Sequence, residues 1–562
     1  MFKRTDLLAI VSLTLFSFSN YSFAQSANEY DHAAVVSAHP EATKVGVDIL
    51  KKGGNAVDAA VAVQFALAVV YPNAGNIGGG GFIVYRDRKG TSNTLDYREK
   101  APSKASKDMY LDEKGDAITD KSLFGALASG VPGSVDGMVQ AHKKYGKLNW
   151  KADLQPAIDL AEKGFAITAQ QAGELNRLKP SFLKYNDKPV AFVKEAEWKA
   201  GDVLTQLELA QTLKLIRDKG RAGFYEGRVA NAIVTAMQHT KGIISKGDLK
   251  DYHSAWRKPV TGYYHNFKVI SMPPPSSGGI ALLTMLKQVS KYPLKHWGFQ
   301  SDSTVQLMVE AERRAYADRA SYLGDPDFFK VPGKALLDTN YINSRLAHLD
   351  FSKATPSADV NPGTLPNYES EQTTHFSIVD SDGNAVSATT TLNGSYGSLV
   401  VVAGAGFILN NEMDDFSVKP GTPNVYGLIG GAANAIQPGK RMLSSMTPTI
   451  VEKDGKLVMV VGTPGGSTII TSVFQAILNV FAFDKSMQDA VSAPRFHHQW
   501  LPDEVYVEEG AVSEAVRKEL ISKGYKIVPR GAIGRVDAIL IKSNGKLETG
   551  ADPRGNDTGG GY

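Results

Sequence analysis

The chain has 562 residues, of which 43% are hydrophobic and 21% are charged, a balance typical of a globular protein with a sizeable core. The net charge of +4 is small for this length, and no basic run carries interleaved aromatic residues, so a nucleic-acid partner is not expected. Cysteine is absent, which excludes disulfides, iron–sulfur clusters, thiolate zinc sites and a catalytic cysteine.

The N-terminal segment has the pattern of a secretory signal peptide. A positively charged start precedes an apolar run over residues 7–18, and the SFA sequence at 22–24 offers small residues at the −3 and −1 positions. We therefore expect residues 1–24 to be removed by a cut after Ala24, leaving a periplasmic or secreted protein. An uncleaved anchor is the alternative, although the run is short for a membrane span, and no later segment is apolar for long enough to cross a bilayer.

The first part of the mature chain predicts two helices, at residues 41–52 and 56–70, with Asn55 as the N-cap of the second. The second helix is apolar on nearly all sides, which indicates a helix buried in the core. A glycine run and two strands joined across residues 87–90 follow. Residues 145–350 are predicted to be mostly helical.

From Thr373 onward the pattern changes to strands separated by turn signals. Three hairpins are predicted, with the sequences SIVD-SDGN-AVSATTT, TIVE-KDGK-LVMVVG and AILI-KSNGK-LETG. One helix is predicted at about residues 468–483. Composition alone leaves open whether the helix-rich and strand-rich parts form two domains or one shared sandwich.

The first of these hairpins brings two threonines together. The Asp-Gly dipeptide at 382–383 favours a two-residue loop, which places Thr373 opposite Leu392. A shift of one residue places Thr391 directly opposite Thr373, and in either register the two threonines lie close together. The alternative interpretation is that these threonines simply fill a strand, for which they have a high propensity.

The second hairpin leads through adjacent glycines into a helix. Gly465 and Gly466 follow an apolar strand, and the helix is predicted to start with Ser467 or Thr468 as its N-cap. Glycines let the backbone approach a ligand closely, and a helix start offers unpaired N–H groups, so the element can bind an oxyanion. A purely structural strand–helix turn is the alternative. The sequence lacks the Lys-Ser/Thr of a phosphate-binding P-loop.

Other catalytic motifs are absent from the sequence. There is no G-x-S-x-G nucleophile elbow and no H-E-x-x-H zinc motif. The adjacent His497 and His498 cannot both point to one side of a strand, and we expect them to be structural.

Several long motifs, in order, carry a resemblance to the γ-glutamyltranspeptidase family of N-terminal-nucleophile hydrolases. They are VSAHPEATKVGVDILKKGGNAVDAAVAV, IGGGGF, LDYREKAP, GALASGVPGS, TTHFSIVDSDGNAVSATTTLNGSYG, ILNNEMDDFSVKPG, SSMTPTIV, GTPGGSTIITSVFQAILNV and PRFHHQWLPDEVYVEEG. The resemblance implies an α+β fold of the four-layer αββα type. It also implies self-cleavage between Gln372 and Thr373 into a large subunit, 25–372, and a small catalytic subunit, 373–562, that remain associated as a heterodimer.

The resemblance assigns a role to each site residue. Thr373 would be the nucleophile, Thr391 would orient it, and backbone N–H groups of Gly465 and Gly466 would bind the oxyanion. The remaining assignments are substrate contacts: Arg98, Ser444 and Ser445 for the carboxylate, and Asn393, Glu412 and Asp415 for the ammonium group. Tyr426 would belong to a lid at residues 419–431, and Met442 departs from the proline that is common in relatives.

The implied substrates are glutathione or other γ-glutamyl compounds, with water or an amino-acid or dipeptide acceptor, and the implied catalysis needs no metal or organic cofactor. Two alternatives stay open. One is a glutaryl or cephalosporin acylase of the same superfamily, whose substrate side chain has no amine. The other is a secreted protein that binds γ-glutamyl compounds without being cleaved.

Overall fold

The computed structural model describes residues 28–360, 372–419 and 431–562, and the strands and helices below lie in these ranges. The predicted signal peptide, most of the predicted lid and Tyr426 lie outside them. The strands, in chain order, are β1 Glu29–Tyr30, β2 Ala34–Ser37, β3 Gly80–Arg86, β4 Ser92–Asp96, β5 Phe165–Ala166, β6 Val203–Leu204, β7 Ala255–Arg257, β8 Val260–Tyr264, β9 Phe267–Ser271, β10 Gln372–Val379, β11 Ala385–Asn393, β12 Thr449–Lys453, β13 Lys456–Gly462, β14 Phe496–His497, β15 Val505–Val507, β16 Ile527–Pro529, β17 Asp537–Ile541, β18 Leu547–Gly550 and β19 Thr558–Gly561.

The helices fall mainly before Thr373, as the sequence indicates. They are α1 Pro40–Lys51, α2 Ala56–Val70, α3 Thr119–Leu123, α4 Ser134–Tyr145, α5 Trp150–Lys163, α6 Ala169–Tyr185, α7 Leu207–Lys219, α8 Ala222–Tyr225, α9 Gly227–His239, α10 Lys246–Asp251, α11 Gly278–Val289, α12 Leu294–Trp297, α13 Asp302–Tyr322, α14 Gly333–Leu336, α15 Thr339–Arg345, α16 Thr468–Phe481, α17 Met487–Ser492 and α18 Glu514–Ser522. Short 3₁₀ helices lie at Ala126–Ala128, Ser357–Asp359, Glu412–Asp415 and Ala432–Asn434.

Two seven-stranded antiparallel sheets form the centre of the molecule. Their strand orders are β1-β18-β17-β13-β12-β9-β8 and β19-β2-β10-β11-β3-β4-β7. Each sheet takes strands from both sides of Thr373, so the helix-rich and strand-rich segments build one shared sandwich. Neither segment could cover its strands alone.

Helices cover both outer faces, which gives the predicted αββα layers. Apolar side chains of both sheets, such as Val36 and Ile450, meet in a central cluster. The helix α2 packs on β10 and β11, whereas α11 and α17 pack on the other sheet. All fifteen residues of α2 are buried, and the side chain of Asn55 accepts hydrogen bonds from the N–H groups of Val57 and Asp58. The predicted core helix and its N-cap are therefore confirmed.

The turn between β10 and β11 differs from the predicted two-residue loop. The N–H of Asp380 donates to the carbonyl of Asn384 at 3.0 Å, so the loop contains three residues, 381–383. Gly383 takes the left-handed φ of +82° that ends such a loop. The carboxylate of Asp380 also accepts the N–H of Asn384 at 2.9 Å, and this local bond favours the longer loop.

Candidate active site

The three-residue loop sets the register that pairs the two threonines. Thr373 lies directly opposite Thr391, while Gln372 pairs with Asn393 across a β-bulge located between Gln372 and Thr373. The register with Thr373 opposite Leu392 is therefore wrong, and the register shifted by one residue is the observed one. The ladder is thus irregular at the peptide bond for which the family resemblance implies cleavage.

Both threonines are nearly enclosed by protein. Thr373 is 6% exposed and Thr391 is 2% exposed. The hydroxyl of Thr391 accepts the N–H of Asn393 at 2.8 Å. Asn393 has a left-handed φ of +70°, which turns the chain out of β11 immediately beyond the paired threonines.

The glycine run at the start of β3 lets the backbone of β3 lie close to the strand that carries Thr391. Gly80 pairs with Thr391 across the sheet. A Cβ atom on Gly79 would lie 2.1 Å from the carbonyl oxygen of Thr391, and one on Gly80 would lie 2.5 Å from that of Tyr97. A side chain at Gly79 would displace the strand that carries Thr391, and one at Gly80 would displace the segment that follows β4.

The glycine loop after β13 exposes two backbone donors. Gly465 and Gly466 have φ values of +132° and +56°, and α16 starts two residues later at Thr468. Neither N–H group donates a hydrogen bond within the part of the chain that the structure describes. Ser467 stands at the N-cap position, but its side chain makes no capping hydrogen bond. These N–H groups are therefore free to bind an oxyanion.

His375 links the glycine loop to the strand of Thr373. It lies two residues along β10 from Thr373, and its ring packs so closely on Gly462 that a Cβ atom there would meet it at 2.3 Å. The ring nitrogens contact Thr389 at 2.8 Å and Ser377 at 3.1 Å. Burial lowers the pKa of His375 to about 3, so the ring is neutral and serves as a rigid spacer.

Arg98, Glu412 and Asp415 meet in one buried ion-pair cluster. The two terminal nitrogens of Arg98 each contact one carboxylate, Glu412 on one side and Asp415 on the other. The side chains of Arg98 and Glu412 are each 1% exposed and that of Asp415 is 6% exposed. The residues predicted to hold the carboxylate and the ammonium group of a substrate thus pair with each other here.

Backbone contacts join this cluster to the serines and to Asn393. The guanidinium of Arg98 donates to the carbonyl of Leu443 at 3.3 Å, next to Ser444. The Nδ2 of Asn393 donates to the carbonyl of Asn411 at 3.0 Å, next to Glu412. All the predicted substrate residues in the described ranges therefore lie on segments that contact one another.

The two serine hydroxyls have different partners. Ser444 Oγ accepts the N–H of Met446 at 3.1 Å, whereas Ser445 Oγ accepts a bond from Arg319 Nη2 at 3.2 Å. Met442 is fully buried, and its carbonyl accepts from Arg98 Nε at 3.4 Å. Packing and this bond hold the segment around Met442.

Two further charged groups of the site were missed by the sequence reasoning. Glu99 lies 3.7 Å from Arg98; burial raises the pKa of Glu99 to about 8, against the opposing effect of Arg98. Arg319 is 4% exposed and reaches Ser445 from α13. The sequence did contain a sign of Arg319: the helix α13 is rich in charged residues and long enough to cross the core, so some of its charged side chains must be buried.

The histidine pair after α17 is structural, as predicted. His497 contacts Thr471 and Gln499, each at 2.8 Å, and burial lowers its pKa to about 3. His498 accepts the N–H of Trp500 at 3.0 Å.

The chain is similar in sequence to known proteins over most of its length. A family model described as Gamma-glutamyltranspeptidase matches residues 42–562. The glutathione hydrolase proenzyme of Escherichia coli strain K12 is 49% identical over 93% of this chain and 90% of its own length. The Acylase ACY 1 proenzyme of Pseudomonas sp. strain SE83 is 38% identical over 92% of this chain and 91% of its own length.

Solved structures of an acylase and of a γ-glutamyltranspeptidase are similar to this structure. A cephalosporin acylase from Bacillus halodurans has a TM-score of 0.85 at 25% identity, over 98% of this chain and 99% of that one. A γ-glutamyltranspeptidase chain from Helicobacter pylori has a TM-score of 0.57 at 44% identity, over 58% of this chain and 94% of that one. Among the residues that the structure describes, no helix combines the length and apolar character that a membrane crossing needs.

Proposed function

The chain belongs to the gamma-glutamyltranspeptidase family of enzymes, and we propose that it is a glutathione hydrolase and γ-glutamyltransferase that works through Thr373. The observation that carries this proposal is the direct pairing of Thr373 with Thr391, on a strand whose His375 packs against Gly462, three residues before the free N–H groups of Gly465 and Gly466. The substrate would be glutathione or another γ-glutamyl amide. The acceptor would be water, an amino acid or a dipeptide.

The first step of this proposal is cleavage of the bond between Gln372 and Thr373. A threonine hydroxyl is a weak nucleophile near neutrality and needs a base. A free α-amine has a pKa of about 7.7–8.0 and can accept the hydroxyl proton, whereas an amide nitrogen cannot. Cleavage would therefore create the base and expose the nucleophile together. The bulge at this bond supports the proposal, because it leaves the ladder irregular there.

The proposed products are subunits 25–372 and 373–562, associated through the shared sheets. The solved Helicobacter pylori chain is covered over 94% of its length but spans 58% of this chain. Residues 25–372 are 348 of 562, about 62%, so a separate large subunit would have a similar share. This agreement supports the position of the cut.

In the transfer reaction, the hydroxyl of Thr373 would attack the γ-carbonyl of the donor and form an ester, and the amine of the donor would leave with a proton. The N–H groups of Gly465 and Gly466 would bind the tetrahedral oxyanion, each donor contributing about 2.7–4 kcal/mol. Water or an acceptor amine would then attack the ester and release Thr373.

Substrate binding would exchange the partners of the buried ion pairs. A γ-glutamyl group carries both a carboxylate and an ammonium. Its carboxylate would replace the acids on the fork of Arg98, with Ser444 and Ser445, while Glu412 and Asp415 would turn to the ammonium. Charge stays balanced through the exchange, which suits a buried site.

The acylase relatives make a glutaryl side chain the rival substrate. Such a group would satisfy Arg98 but would leave Glu412 and Asp415 without an ammonium partner. The acids therefore favour the γ-glutamyl substrate. The proposed location is the periplasm or the medium, supported by the sequence pattern of residues 1–24.

The test compares hydrolysis of γ-glutamyl-p-nitroanilide with hydrolysis of glutaryl-7-aminocephalosporanic acid by the purified enzyme. We expect preference for the γ-glutamyl compound, and we expect Asp415→Asn to lower that preference. Asp414→Asn is the matched control, because Asp414 accepts a bond from Ser122 at 2.6 Å instead of pairing with Arg98. Preference for the glutaryl compound would contradict the proposal, and a single uncleaved band without turnover would point to a binding protein.

A further inference from the structure

Three helices bring Asp58, His142 and Asp153 together at a second polar cluster. Asp58 lies in the first turn of α2, His142 in the last turn of α4 and Asp153 in the first turn of α5. His142 Nε2 lies 3.4 Å from Asp153 Oδ2 and 3.8 Å from Asp58 Oδ1. One atom from each side chain lies within 4.8 Å of the other two.

This cluster is remote from the candidate active site. The N–H of Ala56, two residues before Asp58, donates to the carboxylate of Asp380 at 2.9 Å. Asp380 lies seven residues from Thr373, at the other end of β10. At roughly 3.3 Å per residue the two ends are about 23 Å apart.

Asp153 is the unusual member, because its carboxylate is buried without a hydrogen bond. Its side chain is 0% exposed, and neither oxygen takes a hydrogen bond from the described residues. The facing group is His142 Nε2. A buried carboxylate without such bonds is stabilised by a proton or by a cation beside it, and burial together with the nearby Asp58 raises the pKa of Asp153 to about 8.

Asp58 is held by backbone hydrogen bonds, and its carboxylate also faces His142 Nε2. Its Oδ2 accepts the N–H groups of Asn55 at 2.8 Å and Leu148 at 3.2 Å, and its Oδ1 accepts that of Lys147 at 2.9 Å. Backbone bonds of this kind fix a metal-binding carboxylate in place. The carbonyl oxygen of Leu148 accepts a hydrogen bond from His142 Nε2 at 3.0 Å. Metal binding would require the ring proton to sit on Nδ1 instead, and it would free this carbonyl as a fourth donor atom.

We propose that Asp58, His142, Asp153 and the carbonyl of Leu148 form a structural binding site for one divalent transition-metal ion, such as Zn²⁺. Bonds of about 2.0–2.2 Å to a tetrahedral ion place ligand atoms roughly 3.3–3.6 Å apart. The separations of 3.0, 3.4 and 3.8 Å lie around this value.

The donor set selects the class of metal. An imidazole nitrogen favours zinc and its neighbours, whereas calcium and magnesium prefer oxygen ligands alone. The ion would neutralise two buried carboxylates and clamp the loop between α4 and α5 onto the start of α2. Catalysis at Thr373 does not involve this site.

The test uses the full mature enzyme, purified without a polyhistidine tag and dialysed against a chelator. Calorimetric titration with Zn²⁺ should show one binding site per molecule, and Zn²⁺ should raise the midpoint of thermal unfolding. Asp153→Asn keeps the side-chain shape and should weaken this binding by about 100-fold or more, since even outer-shell changes cost about 10–100-fold. Asp159→Asn, an exposed position on the same helix, is the matched control and should bind like the wild type.

Trp150 provides a second readout at the site itself. Its ring lies 5.2 Å from that of His142, so bound Co²⁺ should quench part of the tryptophan emission. This quenched part should disappear in Trp150→Phe. His142→Gln offers a second ligand variant if Asp153→Asn fails to fold. The proposal is overturned if wild type binds no Zn²⁺, or if both ligand variants bind Zn²⁺ as tightly as the wild type.

Discussion

Replacing Gly465 with alanine tests the proposed oxyanion site most selectively. The φ of +132° at Gly465 is a conformation that L-residues rarely adopt, and forcing it costs about 1–3 kcal/mol. A Cβ atom would also lie 2.5 Å from Thr468 Oγ1, and that hydroxyl is held by its 2.7 Å bond to the carbonyl of Gly465. The peptide must therefore rotate, which turns the N–H group away from the oxyanion.

Loss of one such donor is worth about 2.7–4 kcal/mol, so we expect kcat of Gly465→Ala to fall by about 10²–10³-fold with a smaller change in KM. The assay is hydrolysis of γ-glutamyl-p-nitroanilide, normalised to the amount of cleaved protein on a denaturing gel. Gly545→Ala is the matched control, because Gly545 has a φ of +85° and no atom within 4 Å of its Cβ position. It should lose stability but keep its kcat. A folded, cleaved Gly465→Ala enzyme with wild-type kcat would refute the reasoning.

Two further predictions concern the charged and titrating groups. Arg98→Lys removes the guanidinium fork that spans two carboxylates, and kcat/KM should fall by about 10–100-fold, mostly through KM, because a bond to a charged group is worth about 1.5–3 kcal/mol. The control is Arg257→Lys, which alters a similar fork on Asp96 and Asp327. Equal KM values for the two variants would contradict the role assigned to Arg98. Burial lowers the pKa of His497 to about 3. Below pH 6.5 the unfolded chain therefore binds a proton at this residue that the folded protein does not bind. The midpoint of thermal unfolding should fall as the pH falls from 6.5 towards 3. In His497→Gln the pH dependence should be shallower, by up to about 1.4 kcal/mol per pH unit, and parallel curves would show that His497 does not contribute.

Local signals in the sequence predicted the framework of the site well. The apolar run of α2, its Asn55 cap and the junction from β13 through the glycines into α16 all form as expected. These features depend on residues close in the chain, where periodicity and capping act directly.

The sequence did not predict the hairpin register or the pairing of the buried charges, because a single local bond decides the first and a distant contact decides the second. The bond between Asp380 and Asn384 lengthened the hairpin loop by one residue and shifted every pair in β10 and β11. Glu412 reaches Arg98 from 314 positions away, so no local pattern could show that the two side chains pair in this structure. The resemblance supplied their roles, and the geometry supplies their contacts.

The most direct test of the central claim is the intact mass and N-terminal sequence of the purified, active enzyme. The account predicts two chains, the smaller of 190 residues and beginning TTHFSIVD. Thr373→Ala should remain one chain and be inactive. An active enzyme that consists of a single unbroken chain would contradict the claim that a free amine on Thr373 is the base.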